Sequence, residues 1–167
     1  MGAMMRVTGK AVLRGFLVLA SGGLFACVPE EARVVESGAW IYESRPGLEG
    51  VAYTQNEAGQ RFEVECGNGG GPAFALFPDP VQSEAPPEPA GPLLMQLMVD
   101  EALFDQSFEC FGGEHGCLSS AMPPVFYVEK MRRGKRLQVI YRDAVAARFS
   151  LDGADEALGN LKACLSP

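Results

Sequence analysis

The sequence predicts a mainly β fold, an antiparallel sandwich or barrel-like sheet with one short helix, a C-terminal helix packed on the sheet and two disulfides. Three observations lead there. Apolar and polar residues alternate with a period of two in short segments parted by turn residues, as in Arg61-Phe62-Glu63-Val64-Glu65-Cys66, the pattern of half-buried strands. A stripe at helical spacing runs near the end of the chain through Ala154, Ala157, Leu158, Leu161, Cys164 and Leu165. Beyond residue 38 the chain holds four of its five cysteines, an even number that can pair. The 167 residues, 47% hydrophobic and 21% charged, fit one globular domain and exclude disordered, collagen-like and coiled-coil chains.

Residues 1–26 carry Arg6, Lys10 and Arg14 and no acid, followed by the apolar stretch from Gly15. These are the basic and hydrophobic regions of a signal peptide. The run from Gly15 to Val28, about 14 residues, is short of the roughly 18 to 20 that cross a bilayer as a helix. It closes on Leu24-Phe25-Ala26-Cys27, which resembles the lipobox of bacterial lipoproteins: Leu at −3, a small residue at −1 and the cysteine to be acylated. The resemblance implies lipid attachment at Cys27, and Val28 rather than Asp after it implies the outer membrane. The alternative is ordinary signal-peptidase cleavage near Ala20 to Ala26 with Cys27 a plain thiol. Leu24 counts against it, because that site wants small residues at both −3 and −1. Cysteine parity also favours the lipid, since five is odd and acylating Cys27 leaves two pairs. Several acyl chains, at about 0.8 kcal/mol per buried CH₂, make release negligible. Residues 27–38 then form the attachment site and a short tether, and 39–167 a single β-rich domain.

Eight strands are predicted along that domain: Ala39–Tyr42, Val51–Thr54, Arg61–Cys66, Ala73–Phe77, Leu93–Val99, Ser107–Phe111, Leu137–Arg142 and Ala147–Leu151. Asn56 to Gly59 supplies a turn that makes the second and third a hairpin. Residues 78–92 contain too many prolines to join a ladder and read as an acidic, extended, solvated loop. Pro124 to Arg133 is a helix opened by proline in its first turn and stopped by Gly134 at C′. Asp152 can cap the terminal helix, with Asp155 near the positive end of its dipole.

Cys110 and Cys117 bracket Phe-Gly-Gly-Glu-His-Gly, a span that folds back easily. Of the three connectivities open to four cysteines, this local pair leaves Cys66 to bond Cys164. Cys66 shares a strand face with Phe62 and Val64, and Cys164 lies on the helical stripe, so the second bond would clamp the last helix to the early sheet. The same region offers the chain's one histidine, His115. A Ser-His-acid or Cys-His hydrolase would have to run through it, but it lies in a Gly-rich loop beside two oxidisable cysteines, and a solvated imidazole is the commoner meaning. Cys110, His115 and Cys117 lack the two spaced ligand pairs of a structural zinc site. Gly67 to Pro72 leads into a strand rather than a helix N-terminus, so it is a turn and not a phosphate cradle. No metal or cofactor is expected.

Removing the three cations of residues 1–26 leaves 11 basic and 21 acidic residues, a net charge of −10, poorly suited to nucleic acid. The charge is uneven. Lys130, Arg132, Arg133, Lys135 and Arg136 lie within seven positions. They read either as an anion-binding patch for headgroups, acidic glycan or an acidic partner, or as solvated cations complementing a helix C-terminus. Asp100, Glu101 and Asp105 cluster in sequence without implying glycosidase geometry.

Trp40 to Cys164 as a whole resembles the small exported proteins of alphaproteobacteria that include the invasion-associated locus B family. The residues that carry the likeness are Trp40-Ile41-Tyr42, Gly50-Val51-Ala52-Tyr53, Phe62-Glu63-Val64-Glu65-Cys66, Phe108-Glu109-Cys110 to Gly116-Cys117, Met131 to Val139, and Ala147 to Gly153 leading to Ala157-Leu158. The resemblance implies a β-rich periplasmic or surface protein and supplies no enzymatic residues. The expectation is therefore a non-enzymatic cell-envelope lipoprotein of the outer membrane, facing the periplasm or the surface, with a binding or structural role. It would be held to the membrane through its N-terminal lipid and engage a protein partner in the envelope. The rival is a freely secreted or periplasmic host-interaction protein, and a weaker one is a hydrolase using His115.

Overall fold

A computed structural model describes residues 33–45, 48–67, 69–78, 92–111 and 115–165. The signal segment 1–26, the attachment site Cys27 and residues 79–91 of the proline-rich loop lie outside the described residues. Ten strands form one antiparallel sheet: β1 Arg33–Ser37, β2 Trp40–Arg45, β3 Leu48–Gln55, β4 Arg61–Cys66, β5 Pro72–Phe77, β6 Leu93–Val99, β7 Ala102–Cys110, β8 Cys117–Ser119, β9 Arg136–Tyr141 and β10 Ala144–Ser150. Their order across the sheet is β1-β2-β3-β4-β5-β8-β7-β6-β9-β10. Helices α1 Val125–Arg133, α2 Ala154–Gly159 and α3 Lys162–Leu165 complete the fold. The mainly β, two-disulfide architecture expected from alternation and cysteine parity is the one observed.

The period-two pattern decides which face turns inward. Phe62 and Val64 of β4, Phe74 and Leu76 of β5, Met95 and Leu97 of β6, Phe104 and Phe108 of β7, and Val139 and Phe149 of β9 and β10 are all buried. The sheet curls so far that its distant strands meet. Phe62 of β4 lies 5.8 Å from Phe149 of β10 and 5.4 Å from Phe74 of β5, ring centroid to centroid. Helix α1 buries Val128 and Met131, and Tyr127 stacks on Phe104 at 4.3 Å. Helix α2 buries Ala154, Ala157 and Leu158 against the early strands and packs on α1.

A curled sheet leaves strand edges whose carbonyls need donors. Strand β10 meets this need with side chains from across the fold. Gln60 Nε2 donates to Ala146 O at 3.3 Å, Asn56 Nδ2 to Arg148 O at 3.1 Å and Trp40 Nε1 to Ser150 O at 2.9 Å. The Ala39 backbone N–H extends the series to Asp152 O at 2.9 Å. Every second carbonyl from 146 to 152 thus receives a donor from β2, its approach or the β3–β4 turn. This seam makes the sheet barrel-like. The turn that supplies it is itself organised by Asn56, whose Oδ1 accepts the N–H groups of Ala58 and Gln60, an Asx turn.

Several local expectations are corrected. The sheet begins at Arg33, inside the span expected to be a tether, and β8 is a further strand. Strand β7 starts at Ala102 rather than Ser107. The terminal helix is two short helices parted at Asn160 and Leu161, although its whole apolar stripe is buried or half-buried as expected. Asp152 does not cap α2. Gly153 holds the N-cap position at φ 82 with no side-chain cap, while Asp152 packs against the β1–β2 turn, where a Cβ on Gly38 would meet its carbonyl oxygen at 2.7 Å. Gly134 ends α1, but in extended rather than left-handed backbone, with φ −81 and ψ 173. Glycine is needed there for space: a Cβ would meet Val99 Cγ1 at 2.6 Å and Leu151 Cδ1 at 2.9 Å.

Candidate functional site

The two cysteine pairs fall as expected, Cys66 with Cys164 and Cys110 with Cys117, at Cα separations of 5.3 and 4.0 Å. The first ties α3 to β4. The second closes the turn between β7 and β8, whose strands pair at those same two residues. His115 is exposed in that turn. Ser119, near it in sequence, accepts the Phe74 backbone N–H at 3.0 Å and so serves the sheet. Both sulfurs beside His115 are bound to each other, which removes them as metal ligands.

The structure separates the five sequence-adjacent cations into three settings. Arg132 turns toward α2 and pairs with Asp155 at 2.7 Å and Glu129 at 2.8 Å. Against a desolvation that alone would lower its pKa, these carboxylates hold the guanidinium above its ordinary value. Lys130 and Arg133 flank a shallow 440 Å³ cavity between α1 and the β6–β7 turn, with Phe126 and Ala102 among its apolar walls. Lys130 sits over the Phe126 ring at 5.3 Å, and Arg133 approaches Glu129 at 3.8 Å.

Lys135 and Arg136 enter a larger concavity of 680 Å³, bounded also by Gln55 at the end of β3, Asn56 and Glu57 of the β3–β4 turn, Asp100, and Arg148, Phe149 and Ser150 of β10. Arg148 was legible only as a polar position in an alternating strand. The hairpin register explains its place, because Arg136 lies opposite Ser150 and Arg148 opposite Gln138. Both arginines therefore point away from the core on one face, and both are exposed.

Among the described residues, the side chains of Lys135, Arg136 and Arg148 have no ion-pair partner. Asp100 and Glu57 are the carboxylates that line the concavity, and Asp100 is bound to backbone. At φ 53 it makes the β6–β7 turn, and its oxygens accept the backbone N–H of Lys135 at 3.2 Å and of Arg136 at 3.1 Å. That contact pins the start of β9 without neutralising the cationic side chains. The opposite wall is pinned too, through Asn56 to the Arg148 carbonyl. The groove is thus preorganised and can accept an anion without first breaking an internal salt bridge.

A second polar group lies on the outward face of β2 to β4. The Tyr53 hydroxyl donates to Glu43 Oε1 at 2.9 Å, and the Arg61 guanidinium lies 3.7 Å from the Tyr53 ring centroid. Desolvation, then the hydrogen bond and charge of Glu43, raise the Tyr53 pKa above its ordinary value. No helix among the described residues is long and apolar enough to cross a membrane.

No family model matches the chain. No curated protein matches it either. The fold does have a counterpart of known structure: invasion associated protein b from Bartonella henselae is similar with a TM-score of 0.53 at 19% identity, over 77% of this chain and 95% of that chain.

Proposed function

We propose that this chain is an exported, non-enzymatic protein of the bacterial envelope, anchored through an acylated Cys27, whose folded body binds a partner through its cationic groove. The observation that carries the reading is the pairing of four cysteines into two bonds, with Cys27 left as the odd one directly after a signal-like segment. Disulfides persist in the periplasm and outside the cell and are rare in the cytosol. A body with a net charge of −10 and a concavity lined by Lys135, Arg136 and Arg148 suits an anionic partner and not nucleic acid, whose phosphates need a broad basic face.

Intact mass and peptide mapping of the native protein under non-reducing conditions test this. The expected product begins at Cys27, carries added acyl mass, and yields the two cross-linked peptides of Cys66 with Cys164 and Cys110 with Cys117. A full-length cytosolic product with five titratable thiols would refute the proposal. A second reading, a soluble periplasmic or secreted protein, is favoured by the fold likeness to invasion associated protein b. It predicts cleavage before Cys27 with no acyl mass, no effect of globomycin on processing, and partition into the aqueous phase of a detergent extraction.

A further inference from the structure

We propose that the outer face of the β9–β10 hairpin receives a phosphate ester on a hydroxylated carrier, gripped between Arg136 and Arg148, with Lys135 and Ser150 completing the site. This rests on the binding role proposed above and names its ligand. Register places Arg136 opposite Ser150 and Arg148 opposite Gln138, so the two arginines are diagonal neighbours on one face, about 7 to 8 Å apart at the backbone. Two guanidinium forks at that spacing can converge on the oxygens of one tetrahedral anion, with the bidentate geometry that distinguishes arginine from lysine. Ser150 Oγ accepts the Asp152 backbone N–H at 3.1 Å, which leaves its own proton to donate.

Two features favour a ligand over solvated cations. Adjacent guanidiniums repel, and a body with 21 acidic residues has carboxylates to spare. Arg132 and Arg133 receive such partners, whereas of the two carboxylates lining this concavity Asp100 accepts backbone amides and Glu57 makes no ion pair with either arginine among the described residues. The site is also concave, at 680 Å³, with Glu57 on its rim. One carboxylate there disfavours a dense polyanion and can accept hydrogen bonds from hydroxyls on the carrier of a single phosphate.

The test is calorimetric titration of the processed, oxidised protein, in phosphate-free buffer, with two probes. Inorganic phosphate represents a free source, and dihexanoyl phosphatidylglycerol, kept monomeric, represents a lipid headgroup. Saturable one-to-one binding of dihexanoyl phosphatidylglycerol, tighter than that of inorganic phosphate, is expected, and tighter binding of inorganic phosphate would overturn the carrier. Arg136→Gln and Arg148→Gln should each weaken it about tenfold, the loss of one charge-assisted contact, while Arg142→Gln, a cation at the β9–β10 turn outside the groove, should leave it within about twofold. Arg136→Lys should weaken binding with the fold intact, which covers the case of a glutamine variant that does not fold. Failure of both probes to saturate by about 10 mM, or an equal loss in Arg142→Gln, would overturn the proposal. Neither result touches export and acylation, which the mass analysis reads separately.

Discussion

Replacing Cys66 and Cys164 together by alanine removes a cross-link between residues 98 apart in sequence. In the chain-entropy model such a loop restricts the unfolded ensemble by about 4 to 5 kcal/mol at 25 °C. The bridge from Cys110 to Cys117 spans only 7 residues, and the same model gives about 2.5 kcal/mol for it. Against a total of about 5 to 15 kcal/mol for a domain, losing the long bridge is severe and losing the short one is tolerable. The assay is equilibrium urea unfolding of the processed protein and the two double-alanine variants. It is followed by fluorescence of Trp40, the only tryptophan and fully buried in the core. The long-loop variant should lose about twice the free energy of the short-loop variant, and about 15 °C in Tm. Amide exchange in Lys162–Leu165 should accelerate in the long-loop variant alone, because only that bridge holds α3. If the short-loop variant lost as much or more, loop closure in the unfolded chain would not be the source of the stability.

Trp40→Phe should cost about 2 to 3 kcal/mol, from the cavity left by the indole and the lost donor to Ser150 O; thermal unfolding measures it, and a neutral outcome would mean that the Trp40 bond to Ser150 contributes nothing. Thr54→Val should stabilise by about 1 kcal/mol, because the Thr54 hydroxyl is buried without a hydrogen-bond partner among the described residues. Gly134→Ala should destabilise by about 1 to 3 kcal/mol through overpacking against Val99 and Leu151, visible as a shifted urea midpoint. The Tyr53 phenol should titrate above 10.0 in the native protein, read by absorbance at high pH against Tyr53→Phe. A raised native pKa means that the folded state holds the proton more tightly. That contribution is present below pH 10 and lost as pH rises through the native value, so Tyr53→Phe should lose less stability than the parent across that window.

Strand identity was legible wherever one face is clean. Strand β4 was read with its true ends because alternation marks both its faces, and β6 because its apolar run is bounded by Pro92 and Asp100. Strand β7 was truncated because its first half breaks the code: Gln106 points inward, satisfied by Ala121 O at 2.9 Å, while Leu103 points outward and is half exposed. Strand β1, with two adjacent valines, and β8, three residues long, carry too little pattern to stand out. The terminal stripe hid its own interruption, since burial continues through Leu161 after helical backbone stops. In the candidate groove, Lys135 and Arg136 stood out as part of a charge run. Arg148 did not, since only hairpin register joins it to them.

The sequence by itself determined the export-like start, the β class, the inward face of most strands and, by elimination, both disulfide pairings. These follow from composition, short-range period and parity, which operate within a few residues or by counting. Tertiary structure alone decided the closure of the sheet and the grouping of charges. Trp40, Asn56 and Gln60 reach β10 carbonyls 110, 92 and 86 residues away, and five neighbouring cations are dealt into three settings by the packing of α1 and by the turn between α1 and β9. Neither outcome has a local signature, because a hydrogen-bond donor or a cation carries no mark of its partner until the chain has folded the two together.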